Sequence, residues 1–243
     1  MELSNRYILE WLEGTYAVGL FSAGYKLGIF GLIIVMGFNM GWTPYFLKRM
    51  KEQGAKKEFS HIASIFLGVL GFVVIMISIW IPEIMRLKLG SNYLIGDSFW
   101  PAENVVCIVL IGYFFFGTYV LQLPGVYAEE ITIWIPIFRA IGAISNISLN
   151  IILIPEYGVL GSAWATAISF VFMSLSIFIK LFNSYYVKYN WKAIFYPILF
   201  MAIILYPLES TLARVFICFC YWGGWYYLGI SRDEKKIIKG LFN

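Results

Sequence analysis

Charge is what this sequence has least of. Lys, Arg, Asp and Glu together supply 13% of its 243 residues, where soluble domains carry about 25%. Histidine is nearly absent too: the single His61 cannot complete a Cys/His metal site with Cys107, Cys218 and Cys220, an odd set in which each cysteine lies inside an apolar run and reads as a small apolar filler. There is no G-x-S-x-G, no H-E-x-x-H and no Gly-rich loop joined to Lys-Ser or Lys-Thr. His61 has no Asp or Glu spaced to orient it. No repeat of 20–50 residues points to a solenoid, and Met1–Gly14 is too short and acidic for a cleavable signal. Enzymatic chemistry, a cofactor and a metal are therefore not expected. Nor is nucleic acid, because the basic residues are scattered through short loops rather than gathered on one element.

What is present is apolar. Sixty per cent of the residues are hydrophobic and mean hydropathy is +0.78. The expected fold class is an all-α polytopic membrane bundle of about seven transmembrane helices. The spans run roughly over 15–40, 60–82, 103–127, 131–154, 158–181, 192–208 and 211–230, each near the ~20 residues needed to cross ~30 Å of hydrocarbon. Aromatic residues mark their ends: Trp11, Trp42, Tyr45, Trp80, Trp100, Tyr127 and the Tyr185–Trp191 cluster. Pro124 and Pro136 predict kinks. If the spans alternate, Lys48, Arg49, Lys51, Lys56 and Lys57 share a side with Lys180, Lys188, Lys192 and the basic tail (Arg232, Lys235, Lys236, Lys239). The positive-inside rule makes that side cytoplasmic. The other side holds only Arg6, Arg86, Lys88 and Arg214. Glu103 and Glu209 sit near span ends, and no carboxylate falls in the middle of an apolar run.

Cations do fall there. On a helix wheel Thr132, Arg139, Asn146 and Asn150 lie within about 40° of one another. A central Arg in a membrane costs about 2.5–3.5 kcal/mol on insertion scales, so this stripe should face protein or a wet cavity. Ser22 and Lys26, with Thr15 and Gly19, mark a second polar face on the first span. Gly24, Gly28 and Gly31 mark another face, suited to close helix approach. Lys26 and Arg139 suggest a cationic chamber for a phosphate or pyrophosphate, Arg as a planar fork and Lys as a mobile charge. Asn146 and Asn150 could bond sugar hydroxyls, and Ser22 lies beside Lys26. The plainer alternatives stay open: Arg139 snorkelling or pairing with Glu129 or Glu130, and the asparagines bonding between helices.

Two segments carry a family likeness. Leu149–Phe170 (LNIILIPEYGVLGSAWATAISF) resembles the part of polysaccharide flippases in which an Asn-rich helix ends in a Pro-x-Tyr-Gly turn followed by a Gly/Ala-rich helix. Asn5–Gly28 resembles the part in which a helix ends in Asp-Arg-Tyr and the next opens on Val-Gly-x-Tyr-Ser; this chain has Asn5 and Phe21 where Asp and Tyr are usual. Pro44–Lys48 (PYFLK) fits the family's passage from helix to loop. The family belongs to the multidrug/oligosaccharidyl-lipid/polysaccharide exporter (MATE-like) superfamily. The resemblance implies one lobe plus two further helices of a two-lobed transporter, the N-terminal lobe being absent. In domains, it implies 1–14 as the end of a preceding helix and an external loop, 15–182 as a C-terminal lobe of five spans, and 183–243 as two appended spans and a cytoplasmic tail. It further implies flipping of undecaprenyl-linked oligosaccharide in a bacterial inner membrane for lipopolysaccharide O-antigen, capsule or exopolysaccharide. Lys26, Arg139, Asn146, Asn150 and Ser22 would bind that substrate. Membrane lipids, a polysaccharide polymerase and glycosyltransferases would be the other partners. Multidrug or peptidoglycan-precursor export, a non-functional truncated flippase, and a membrane-embedded glycan-processing enzyme are the competing expectations.

Overall fold

The computed structural model describes residues 1–90, 92–205 and 210–241, and the backbone alone for residues 89 and 237–241. It is an all-α bundle of membrane-type helices. Helix α1 (Glu2–Glu13) turns at Gly14, φ 84°, directly into α2 (Thr15–Arg49). Residues 1–14, expected as a helix end and a loop, are thus helical almost throughout. Then come α3 (Ala55–Met85), a two-residue hairpin of β1 (Lys88–Leu89) and β2 (Asn92–Tyr93), a 3-10 turn (Asp97–Ala102) and α4 (Glu103–Ala128). Helix α5 (Trp134–Leu181) is followed by α6 (Trp191–Ile204), α7 (Thr211–Gly224) with a π turn (Trp225–Gly229), and α8 (Arg232–Leu241). Among the described residues four helices, α2, α3, α4 and α5, are long and apolar enough to cross a membrane. The end of the expected sixth span (206–208) and Glu209 lie outside the described residues.

Helix α5 spans 48 residues but is not one rod. Gly158 takes φ 53°, ψ −130°, a conformation closed to helices and costly for side-chain-bearing residues. Pro155, one turn earlier, has no N–H to continue the ladder. Asn146 Nδ2 lies 3.4 Å from Thr166 Oγ1, whereas twenty residues of straight helix would separate them by about 30 Å. The two arms, 134–157 and 159–181, therefore fold back on each other, and each exceeds the ~20 residues of a crossing. These are the expected fourth and fifth spans, and the break falls on Pro-Glu-Tyr-Gly. The expected kink at Pro136 is absent as such: Pro136 occupies the first turn of α5, where no donor is needed. Pro124 lies within the last turns of α4.

Loop contacts show that the spans alternate. At one end Lys51 Nζ meets Glu130 Oε1 at 2.9 Å, Tyr185 donates to the Met50 carbonyl at 3.1 Å, and Ser60 donates to the Lys188 carbonyl at 2.8 Å. The loops read as basic thus share one end of the bundle. Helix α2 continues to Arg49, beyond the expected residue 40, and carries its basic residues out on a helix rather than a loop. At the opposite end Arg86 pairs with Glu103 at 3.2 Å and Arg214 with Glu83.

Helix α8 is held at the basic end by a capping box. Ser231 N–H donates to Glu234 Oε2 at 2.5 Å, and Glu234 N–H donates to Ser231 Oγ at 3.3 Å. The buried Glu234 carboxylate also accepts from Asn190 Nδ2 at 3.3 Å and lies 3.5 Å from His61 Nδ1.

Candidate functional site

Small residues decide which way α2 faces. A Cβ on Gly24 would lie 2.7 Å from Val105 Cβ, one on Gly28 2.6 Å from Val109 Cγ1, and one on Gly31 3.0 Å from Tyr113 Cβ. These three glycines form the seam on which α4 packs, as their spacing predicts. Lys26 stands about 200° around the helix from both Gly24 and Gly28, and accordingly it is exposed, with half-buried Ser22 one turn away. Beside the seam Tyr113 donates to Tyr25 at 2.7 Å, both rings being buried.

Arg139 is also exposed. Its guanidinium lies close enough to the hydroxyl of buried Tyr119 on α4 to act on it electrostatically. Lys26 therefore stands level with about residue 107 of α4, and Arg139 with Tyr119. Some twelve residues of helix separate those levels, about 18 Å. The structure does not bring the two cations to one depth, and a pocket shared between them is not what it assembles.

The two asparagines are placed differently again. Asn146 and Asn150 are completely buried, in a polar knot that ties α1 to both arms of α5. Asn150 Nδ2 donates to Asn5 Oδ1 at 2.8 Å and to the Asn146 carbonyl at 2.7 Å. Asn5 Nδ2 donates to Thr166 Oγ1 at 2.7 Å, and Ser4 Oγ donates to Asn146 Oδ1 at 3.2 Å. Arg139 shares the angular stripe of Asn146 but escapes the knot because Met1 packs at Gly142, about one turn short of it. The stripe is thus divided: its outer half is covered by α1 and its first turn is open. Every side chain in the knot is neutral, so its contribution is hydrogen bonding, about 0.6 kcal/mol per bond on average in membrane bundles.

A second knot has no counterpart in the sequence reading. Thr118 and Ser174 hydroxyls lie 2.7 Å apart, and Gln122 Nε2 donates to Ser174 Oγ at 2.9 Å and to the Thr118 carbonyl at 3.0 Å. It fastens α4 to the second arm of α5. The signal available was Thr118 and Gln122 at i and i+4 in an otherwise apolar helix. Among the described residues no group of three or more His, Cys, Asp or Glu side chains is placed to hold a metal ion.

Outside the spans, electrostatics concentrate at the basic end. Lys51 holds the Glu130 carboxyl below its ordinary value of 4.5, first by hydrogen bond and then by charge. Lys57, at 3.0 Å, does the same for Asp233. Burial pushes the Tyr185 phenol up, with Glu129 adding to the effect. Lys56 sits 4.2 Å over the Tyr185 ring and Lys180 4.1 Å over Trp134, pairings suited to an interface between apolar and wet surroundings.

Comparison with known proteins finds 26% identity over 199 residues, 77% of this chain, with the multidrug export protein MepA of Staphylococcus aureus (strain bovine RF122 / ET3-1). The chain spans 42% of that relative's length. No family model matches the chain, and no solved structure matches it.

Proposed function

We propose that this chain is part of a bacterial inner-membrane transporter of the MATE-like superfamily that moves an anionic, lipid-linked oligosaccharide for surface polysaccharide assembly. The observation that carries the reading is the pair of uncovered cations. Lys26 and Arg139 stand exposed within stretches of helix whose other exposed side chains are mostly apolar. At roughly 2.5–3.5 kcal/mol each, cations at bilayer depth are stable only against water, a phosphate or further protein. Their separation of about 18 Å along the bundle assigns them to two points along a path, one met after the other, in place of one shared pocket. Ser22 accompanies Lys26 on that path. Asn146 and Asn150 serve it indirectly, by fixing α1 against α5. Alternating access would require a second body for this bundle to rock against.

The test is chromosomal replacement of Lys26 and Arg139 by Ala, singly and together, with surface polysaccharide measured alongside protein abundance. Loss of polysaccharide at unchanged abundance is expected, with Arg139→Lys partly restoring it. Wild-type polysaccharide in the double variant would refute the reading. A second reading, drug export, is favoured by the resemblance to a multidrug export protein. It predicts unchanged polysaccharide and increased susceptibility to several unrelated drugs in a strain lacking the chain.

A further inference from the structure

At the basic end a single carboxylate joins four pieces of structure. Glu234 is only 1% exposed. Its Oε2 accepts from the Ser231 N–H at 2.5 Å and from Asn190 Nδ2 at 3.3 Å. Asn190 Nδ2 also donates to the Gly229 carbonyl at 2.9 Å, and Asn190 Oδ1 caps α6 by accepting from the Lys192 N–H at 3.2 Å. The other carboxylate oxygen, Oε1, faces α3. There His61 Nδ1 stands 3.5 Å away, buried and without a hydrogen-bond partner. The start of α8, the end of the π turn, the head of α6 and α3 therefore meet at Glu234.

Among the described residues His61 is the one basic side chain within 4 Å of that carboxylate. The other charges around it are engaged elsewhere. Lys57, one turn back along α3, takes Asp233 at 3.0 Å. Arg49 on α2 takes Glu58 at 3.1 Å, and Tyr45 donates to the same carboxylate. Lys235 turns to the Tyr227 carbonyl at 3.5 Å, Lys236 acts with His61 on Asp233, and Lys188 and Lys192 are exposed. A buried carboxylate left without a positive partner is strongly destabilising. Whether Glu234 has one is decided by an imidazole, the side chain whose charge changes between about pH 5 and 8. A cavity of about 670 Å³ between α2, α3 and α8 has His61 in its lining, so water can deliver the proton. We propose that His61 and Glu234 form a proton-operated latch that fastens α8 and the head of α6 to α3. Water protonates the ring, and the imidazolium Nδ1–H donates to Glu234 Oε1. Attachment that takes up a proton strengthens as pH falls through the imidazole range and weakens as pH rises. Released, α8 would uncover the cavity. The latch answers to pH on the side of the basic loops and is independent of what the protein transports.

Hydrogen exchange of the full chain in detergent, at constant low salt, tests it. Protection along 232–236 is compared at about pH 5.5 and about pH 8, each relative to the intrinsic exchange rate, across the imidazole range. A fall of about tenfold is expected on going to the higher pH, since one linked proton changes an equilibrium by at most tenfold per pH unit. His61→Gln should remove the pH dependence, and His61→Lys, a cation at both pH values, should keep protection high at both. Equal protection of the unaltered chain at the two pH values, or the same fall in His61→Gln, would overturn the proposal. If His61→Gln does not fold, the unaltered chain decides, because His61 is its single histidine. The midpoint of the imidazole NMR titration should coincide with the midpoint of the loss of protection; separate midpoints refute the latch.

Discussion

Asn150 shows how a buried amide in a membrane bundle differs from a ligand-binding one. Its two N–H groups are spent on Asn5 and on the Asn146 carbonyl, and its Oδ1 has no partner among the described residues. Replacing it with Ala would strand Asn5 Oδ1. We expect Asn150→Ala to lower stability in detergent by about 1 kcal/mol, within the range for single membrane hydrogen bonds. Arg139→Ala, at an exposed site, should leave stability unchanged. Parallel denaturation curves check both; a large loss in Arg139→Ala would show that this side chain holds the bundle together. Wheel arithmetic placed Arg139 and Asn146 correctly in angle. It could not show that one is open and the other covered, because the cover is Met1–Asn5, more than 130 residues away in the chain. Asn5 itself was legible only as a departure from a family pattern, and its place in the knot needed the fold.

Among the elements, α5 depends most on one backbone conformation. At φ 53°, ψ −130° any residue with a Cβ is strained by roughly 1–3 kcal/mol. Gly158→Val should therefore destabilise the hairpin by about that amount, read as a lower melting temperature and faster protease cleavage near 155–160. An unchanged melting temperature would show that the reversal does not need glycine. The hairpin was legible in advance because Pro-Glu-Tyr-Gly interrupts an apolar run too long for one crossing. Helix α8 is not signalled by hydropathy, of which it has little, but by Ser231 and Glu234 at the spacing of a capping box.

The attachment of α8 gives a pH expectation with a definite sign. Asp233 and Glu130 have depressed values in the folded protein. Their contribution is present above the ordinary carboxylate range and is lost as pH falls through the depressed values. Both carboxylates are fully exposed, so high salt should mimic acid. Protection along 232–236, taken relative to the intrinsic exchange rate at each pH, should fall under either condition. Unchanged protection under both would contradict the assignment.

For the whole molecule, hydropathy and loop charge were enough to place the first five spans and gather the basic loops at one end, because both follow from transfer energies that each segment meets independently; α6 and α7, at 14 residues each, are shorter than the crossings expected of them. The site was less legible, since it depends on which faces other helices cover. Lys26 and Arg139 stand at different levels of α4, a difference in depth that no wheel records.

The way α6 and α7 join the rest has its own outcome. Tyr221 donates to the Gly68 carbonyl at 2.7 Å, Trp225 fills the notch left by Gly68, and a Cβ on Gly71 would meet Pro197 at 2.6 Å. Helices α6 and α7 are thus keyed into α3 like teeth into a rack. Any tilt of α3 carries them along, so in the transport cycle proposed above a covalent staple between α3 and α7 should cost no motion.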